Sequence, residues 1–173
     1  MRLTRKTLIW LCMLALPLGW SSCNQDTRYH DLPYEDEFEP VYPVPAVTTL
    51  LTPANGEAIT SGGDAVLFSW EEGELPEGSQ MVVKYEVLFG PEGFDFTQTN
   101  DTSNSVQDAD MEGGDPSLNL YGSFLDLIAA EAGIEPGETG VVQWKVRSYC
   151  GLDMTLSTAT GSITVTRPAA SEE

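Results

Sequence analysis

A period-two alternation of apolar and polar residues, in short runs over residues 47–168, is the feature that most restricts the fold of this chain. Residues 65–70, for instance, carry apolar side chains at every second position, namely Val66, Phe68 and Trp70. Successive side chains of a strand point to opposite faces of a sheet, so each run predicts a strand with one buried face. Turn signals such as Asn55-Gly56 separate the runs. The pattern therefore predicts two packed β-sheets.

The predicted strands cover residues 47–51, 65–70, 81–89, 94–98, 117–121, 141–149 and 162–166. Residues 99–116 are polar and glycine-bearing, which predicts a long exposed loop. Trp70 and Trp144 stand at inward positions of two regular strands, and burying ~150–250 Å² of each is worth ~4–6 kcal/mol. We therefore place both indoles in the core.

One helix is predicted before the penultimate strand. Ser123 precedes Asp126 by three residues, the spacing of a capping pair, and Gly133 follows as a stop signal. The apolar face of this helix is formed by Phe124, Leu125, Leu127 and Ile128. The predicted fold is thus all-β: a single immunoglobulin-like or fibronectin type III-like β-sandwich with one short helix.

Residues 1–22 have the pattern of a secretory signal. Basic residues precede an apolar run of 13 residues, 8–20, and Ser21-Ser22 stand before Cys23. A helix needs ~20 residues to cross a bilayer, so the run is expected to be processed rather than to span. Cys23 after small residues resembles the lipobox of bacterial lipoproteins, in the looser form seen in Bacteroidetes. This predicts lipidation at Cys23, the alternative being ordinary cleavage that leaves a free thiol.

Three further segments follow from composition. Residues 23–46 interleave acids with prolines and are interpreted as a stiff tether, which in a polyproline II conformation advances ~3.1 Å per residue. Residues 47–168 form the sandwich, and residues 169–173 a tail. Acids soon after a lipid-bearing cysteine resemble the export signal of Bacteroidetes lipoproteins, and this resemblance implies the cell surface rather than the periplasmic face of the outer membrane, although a solvated spacer suits both.

Charge and residue inventory exclude several function classes. Removal of the signal leaves five basic residues against 27 acidic ones, too few and too scattered to bind nucleic acid. The single histidine, His30, lies in the tether, so no histidine-dependent nucleophile system or zinc site is expected in the sandwich. Cys150 is the one thiol left beside Cys23 and is interpreted as a partly buried filler. We therefore expect neither an enzyme nor a cofactor.

Two sets of residues are candidate binding sites. The first set has carboxylates at near-alternate positions, whose oxygens could bind Ca²⁺: Asp108, Asp110, Glu112 and Asp115. The alternative is an acidic surface loop that binds no metal. The second set has aromatic side chains that the core does not need and that could stack on a sugar in a shallow groove: Phe94, Phe96, Tyr121 and Tyr149. The alternative is that they are isolated exposed aromatics.

The order of motifs along the chain resembles a known family. Leu50-Leu51-Thr52-Pro53-Ala54-Asn55-Gly56, Phe68-Ser69-Trp70, Tyr85-Glu86-Val87, Trp144-Lys145-Val146-Arg147-Ser148 and Ile163-Thr164-Val165-Thr166-Arg167-Pro168 occur in that order. Together with the helix they resemble the N-terminal immunoglobulin-like domain of SusE-type outer-membrane lipoproteins. The resemblance covers residues 47–168 and rests more on strand spacing than on any one motif.

The resemblance implies a surface lipoprotein accessory to a SusC/SusD-like glycan uptake system, in which this domain is a spacer beneath carbohydrate-binding modules. The chain stops at Glu173, where such modules are expected to begin, so no glycan-binding residue is carried over. The expected function is that of a non-catalytic accessory, spacer or binding component held to the membrane through Cys23. Two alternatives stay open: a carbohydrate-binding module that uses surface aromatics, and an adhesin or assembly subunit.

Overall fold

The computed structural model describes residues 43–98 and 103–170, which contain nine strands, one α-helix and one 3-10 helix. The strands are β1 (Leu50–Thr52), β2 (Glu57–Thr60), β3 (Val66–Trp70), β4 (Lys84–Pro91), β5 (Val106–Asp108), β6 (Ser117–Leu120), β7 (Thr139–Cys150), β8 (Asp153–Leu156) and β9 (Gly161–Thr166). The 3-10 helix is Phe96–Gln98 and the α-helix, α1, is Gly122–Glu131. The predicted signal, Cys23, His30 and residues 23–42 of the predicted tether lie outside the described residues.

Two sheets form the sandwich. A three-stranded antiparallel sheet has the order β1-β3-β6, and a larger sheet has the order β2-β9-β7-β4-β5. Strand β7 pairs with β9 over Thr139–Trp144, and β8 pairs with the final four residues of β7. Strand β2 runs parallel to β9, whereas the other pairs are antiparallel. The predicted all-β sandwich is confirmed.

The core lies between the two sheets and is built around aromatic side chains. The Phe68 ring contacts the rings of Phe89 and Trp144 edge-on, with centroids 5.2 and 5.1 Å away. Trp70 meets Tyr85 in the same manner at 5.6 Å. All five side chains are buried, as the alternation predicted for Trp70 and Trp144. Edge-to-face pairs of this kind add stability beyond the area they bury.

Several strand predictions are wrong in detail. Residues 94–98 do not form a strand; they include the 3-10 helix, which turns Phe96 inward. Residues 103–116, the described part of the predicted exposed loop, contain strand β5 and the buried Ala109. Strands β2 and β8 were not predicted. Each has only four residues, none of them fully buried, so the alternation that marks a strand is too short to recognise.

The helix starts differently from the prediction. Tyr121 occupies the N-cap position without a side-chain hydrogen bond to the helix, and Ser123 is already inside the first turn. A Cβ on Gly122 would overlap the Gly63 backbone, so the close approach of these two glycines positions the start of the helix. The buried face is formed by Gly122, Leu125, Ile128 and Ala129, while Phe124 and Leu127 are exposed. Gly133, at φ 86°, follows the helix end as predicted.

The chain enters and leaves the sandwich at opposite ends of β9. Val44 and Val47 are both buried, so packing begins within the predicted tether, and the Val47 carbonyl accepts a hydrogen bond from the Thr158 amide just before β9. At the other end, the Arg167 amide directly after β9 donates to the Glu138 carbonyl. The six residues of β9 separate the two points by about 20 Å at ~3.3 Å per residue.

Candidate functional site

The four candidate aromatics do not share one groove. Phe94 and Phe96 contact each other edge-on at 5.2 Å, and Phe96 is buried beneath its neighbour. Tyr121 is exposed at the start of α1. Tyr149 is half-buried near the end of β7. Phe94 lies beside another part of that strand, because the neighbouring Gly93 amide donates a hydrogen bond to the side chain of Gln143, six residues before Tyr149. Only Phe94 therefore combines a concave setting with a partly exposed ring.

A cleft of about 280 Å³ lies between the end of β4, the 3-10 helix and the end of α1, and we call it the Phe94 cleft. Its lining includes Gly90, Phe94, Gln98, Ser103, Ser105 and Glu131. A Cβ on Gly90 would overlap the Phe94 ring, so glycine at this position allows the ring to approach the strand closely. The cleft thus joins one aromatic face to an amide, two hydroxyls and a carboxylate.

Glu131 organises the polar side of the Phe94 cleft. Its carboxylate accepts hydrogen bonds from the Asn104 side chain at 2.6 Å, the Ser105 hydroxyl at 2.7 Å and the Asn104 amide at 3.3 Å. Partial burial acts to raise the pKa of Glu131, but the hydrogen bonds from Ser105 and Asn104 outweigh it and hold the pKa below its ordinary value. Glu131 is therefore ionised at neutral pH and suited to accept hydrogen bonds, not to act as a general acid.

The four candidate calcium ligands are dispersed by the fold of their loop. Asp110 turns back on β6, where its carboxylate accepts hydrogen bonds from the Asn119 amide and side chain, the shortest at 2.7 Å. Asp108 stands on β5 opposite Glu86, while Glu112 and Asp115 are exposed in the loop. Over residues 43–98 and 103–170 no group of three metal-binding side chains converges. Calcium binding stays a prediction, and the arrangement of these four side chains does not support it.

The same loop has an unusual backbone. Met111 and Glu112 have φ angles of 54° and 58°, and Gly113 follows at 84°. Left-handed conformations are costly for residues with a Cβ, so the surrounding bonds must hold them in place. The Glu112 carbonyl accepts a hydrogen bond from Lys84 Nζ at 3.0 Å, and the Gly113 amide donates to the Ala109 carbonyl at 2.9 Å.

All four basic side chains of the described part bind acceptors of the chain itself. Arg147 pairs with Glu86 and Arg167 with Asp126. Lys84 donates to the Glu112 carbonyl, and Lys145 donates to the Ser157 carbonyl at 2.7 Å. Desolvation by burial lowers the pKa of Lys145. These contacts leave the acidic side chains of the described surface in excess.

Cys150 is a free cysteine of intermediate burial at the end of β7, as predicted. In the part of the chain that the structure describes, no helix has the length and apolar character needed to cross a bilayer.

Comparison with known proteins identifies one family. A family model described as SusE outer membrane protein matches residues 35–147, which include β1 to β6, α1 and most of β7. No curated protein and no solved structure matches the chain.

Proposed function

The chain belongs to the SusE outer membrane protein family, and from this premise we propose that it is a non-catalytic lipoprotein, anchored through Cys23 and exposed at the cell surface. Family membership supports an outer-membrane protein related to the Sus system. The finer proposal is an accessory role in a SusC/SusD-like glycan uptake system, with the sandwich acting as a spacer.

The observation that carries the spacer role is the separation of the two chain ends of the sandwich. The chain enters beside Thr158 and leaves at Arg167, at opposite ends of β9. Between these points a core of buried aromatic and aliphatic side chains joins the two sheets. Protein interiors are close-packed and deform little, so we expect the domain to hold the segments before and after it a fixed distance apart.

The anchor is tested by replacing the proposed lipidation site. A Cys23→Ala variant should lose labelling by fatty-acid analogues and leave the membrane fraction. Cys150→Ala is the matched control, because that thiol lies in the sandwich and should not affect either readout. Persistent outer-membrane fractionation of Cys23→Ala would contradict the anchor.

The role in uptake requires its own experiment. Gentle detergent extraction of outer membranes should recover the wild-type chain together with SusC-like and SusD-like proteins. Recovery of the chain alone, under conditions that keep those two proteins together, would contradict the accessory role.

A second function, glycan binding, is favoured by the Phe94 cleft. A partly exposed ring beside Gln98, Ser103 and ionised Glu131 offers a stacking face and hydrogen-bond partners for sugar hydroxyls. At about 280 Å³ the cleft is near the lower end of small-molecule sites, which suits a single sugar ring.

Affinity electrophoresis against a panel of polysaccharides tests this second function. Retardation of the wild-type chain on one glycan should be lost in Phe94→Ala and kept in Tyr121→Ala, whose aromatic ring is exposed away from the cleft. Unretarded migration of the wild-type chain on every glycan would remove the binding function and leave the spacer role untouched.

A further inference from the structure

Four highly exposed apolar side chains stand at one end of the larger sheet, and we call them the apolar tip. They are Val82, Met111, Leu152 and Met154, with exposed fractions from 66% for Met154 to 100% for Leu152. Apolar side chains this exposed are unremarkable singly, but several at one end of a domain, bordered by polar residues, mark an interaction site.

Pairing and loop contacts bring these four residues to the same end. Met154 on β8 lies directly opposite Tyr149, which in turn lies opposite Lys84 on β4. Val82 comes two residues before Lys84, and Leu152 is in the turn that joins β7 to β8. The Met111 loop is tied to this place because Lys84 Nζ donates to the carbonyl of the next residue, Glu112.

The surroundings of the apolar tip are acidic. Asp108, Glu112 and Asp153 are exposed around it. Burial is the main cause that raises the pKa of the Tyr149 hydroxyl, and the negative charges of Glu86 and Asp108 raise it further. The nearest basic side chains are already engaged, Lys84 with the Glu112 carbonyl and Arg147 with Glu86. Such a rim complements a basic protein surface and is repelled by an anionic lipid surface.

The chain also enters the sandwich toward this end. Phe68 of β3 contacts Phe89 of β4, and Trp70, two residues later, contacts Tyr85. Strand β3 therefore runs toward the end of β4 at which the apolar tip lies. Gly73, three residues beyond β3, hydrogen-bonds the Tyr85 hydroxyl through its backbone. Pro45 packs on Gly73, where an added Cβ would lie 2.7 Å from the proline Cβ. The residues that lead to the predicted anchor therefore begin near the tip.

Chain length then limits how far the tip can be from the membrane. The 20 residues between Cys23 and Val44 span at most about 70 Å when fully extended, at ~3.3–3.6 Å per residue. We propose that the apolar tip is a docking surface for a second protein of the same outer membrane, one that offers an apolar contact within a basic surface. This inference rests on the proposed function, because the length argument uses Cys23 as the anchor.

Photo-crosslinking in the native outer membrane tests the proposal with the full-length chain. A benzophenone-bearing residue in place of Met154 should give an adduct that mass spectrometry identifies as a SusC-like or SusD-like protein. The same probe in place of Leu67, which is exposed on the outer face of the three-stranded sheet, should give none. Adducts with lipid alone or with a second copy of this chain, or no adduct at all, would overturn the proposal.

A second variant separates docking from proximity. Leu152→Ser, at a fully exposed position that cannot affect the core, should reduce the adduct at least about tenfold, while Leu67→Ser should leave it unchanged. Raising the salt concentration from about 0.05 to 0.5 M should also weaken the adduct, because screening shortens the reach of the acidic rim. An adduct that persists in the Leu152→Ser variant and at high salt would contradict both the docking surface and its charge complementarity. If the chain fractionates with the membrane but gives no adduct, only this inference fails; if it does not fractionate with the membrane, the proposed function fails.

Discussion

Arg167 and Asp126 form a two-bond ion pair across 41 residues of sequence, from Nε to Oδ1 at 3.0 Å and from Nη2 to Oδ2 at 2.9 Å. The Ser61 hydroxyl donates to the same carboxylate at 2.6 Å, and Arg167 Nη1 donates to the Ile134 carbonyl at 2.7 Å. The pair joins α1 to the end of β9, where the chain leaves the sandwich. Hydrogen bonds from Arg167 and then Ser61 lower the pKa of Asp126.

We predict that Asp126→Asn destabilises the domain by about 1 kcal/mol at pH 7, because charged hydrogen bonds contribute ~1.5–3 kcal/mol and partial exposure reduces that figure. The folded pKa lies below the ordinary value of 3.8, so the stabilisation is complete above that value and is lost as the pH falls through the folded pKa. Urea unfolding of both proteins at several pH values should show the difference shrinking in acid. Glu77→Gln, in an exposed loop, should unfold like the wild type at pH 7.

The sequence predicted the core better than the surface, for a physical reason. Trp70, Trp144, Ile163 and Val165 are buried as expected because alternation reports directly which side of a strand faces the core. Strands β2, β5 and β8 were not predicted because they have only three or four residues and are stabilised by pairing with longer strands. The helix start was misplaced because a tertiary contact between Gly122 and Gly63, not a capping side chain, positions it.

The candidate site was predictable only in part. Phe94 was identified as an aromatic that the core could spare, but its companion Phe96 is buried by a 3-10 turn that apolar spacing does not reveal. Glu131 was not identified at all. Its role depends on Asn104 and Ser105, 27 and 26 residues away, and no local pattern links such positions.

We predict that Gly161→Ala destabilises the sandwich by about 1–3 kcal/mol, the usual cost of overpacking a core. A Cβ at this position would overlap the Trp144 indole, which is fully buried. Thermal unfolding should show a clear loss of Tm. Gly63→Ala is the matched control, since its Cβ would meet only the Thr60 carbonyl at an ordinary 3.6 Å. Equal Tm values for the two variants would refute the packing argument.

Calcium is expected to have no effect on the stability of the domain. The Asp110 carboxylate already serves Asn119, so recruiting it to a metal would break existing hydrogen bonds, and over the described residues no three ligands converge. Thermal unfolding with millimolar Ca²⁺ and with a chelator should give the same Tm. A ligand that binds the native state at 100 times its Kd would add about 2.7 kcal/mol. A calcium-dependent rise that Asp110→Asn abolishes would show that the loop rearranges to bind the ion.

Glu131→Gln is expected to loosen residues 103–105 without unfolding the sandwich. The carboxylate binds the Asn104 amide, the Asn104 side chain and the Ser105 hydroxyl, whereas a glutamine offers one acceptor oxygen and turns its NH2 group toward donors. Hydrogen exchange should therefore accelerate severalfold at the Asn104 amide and stay unchanged at Trp144, deep in β7. Because the folded pKa of Glu131 is lowered, the wild type should gain the same mobility only as the pH falls through that pKa. Slow exchange at Asn104 in the variant would mean that backbone packing, not the carboxylate, shapes the wall of the Phe94 cleft.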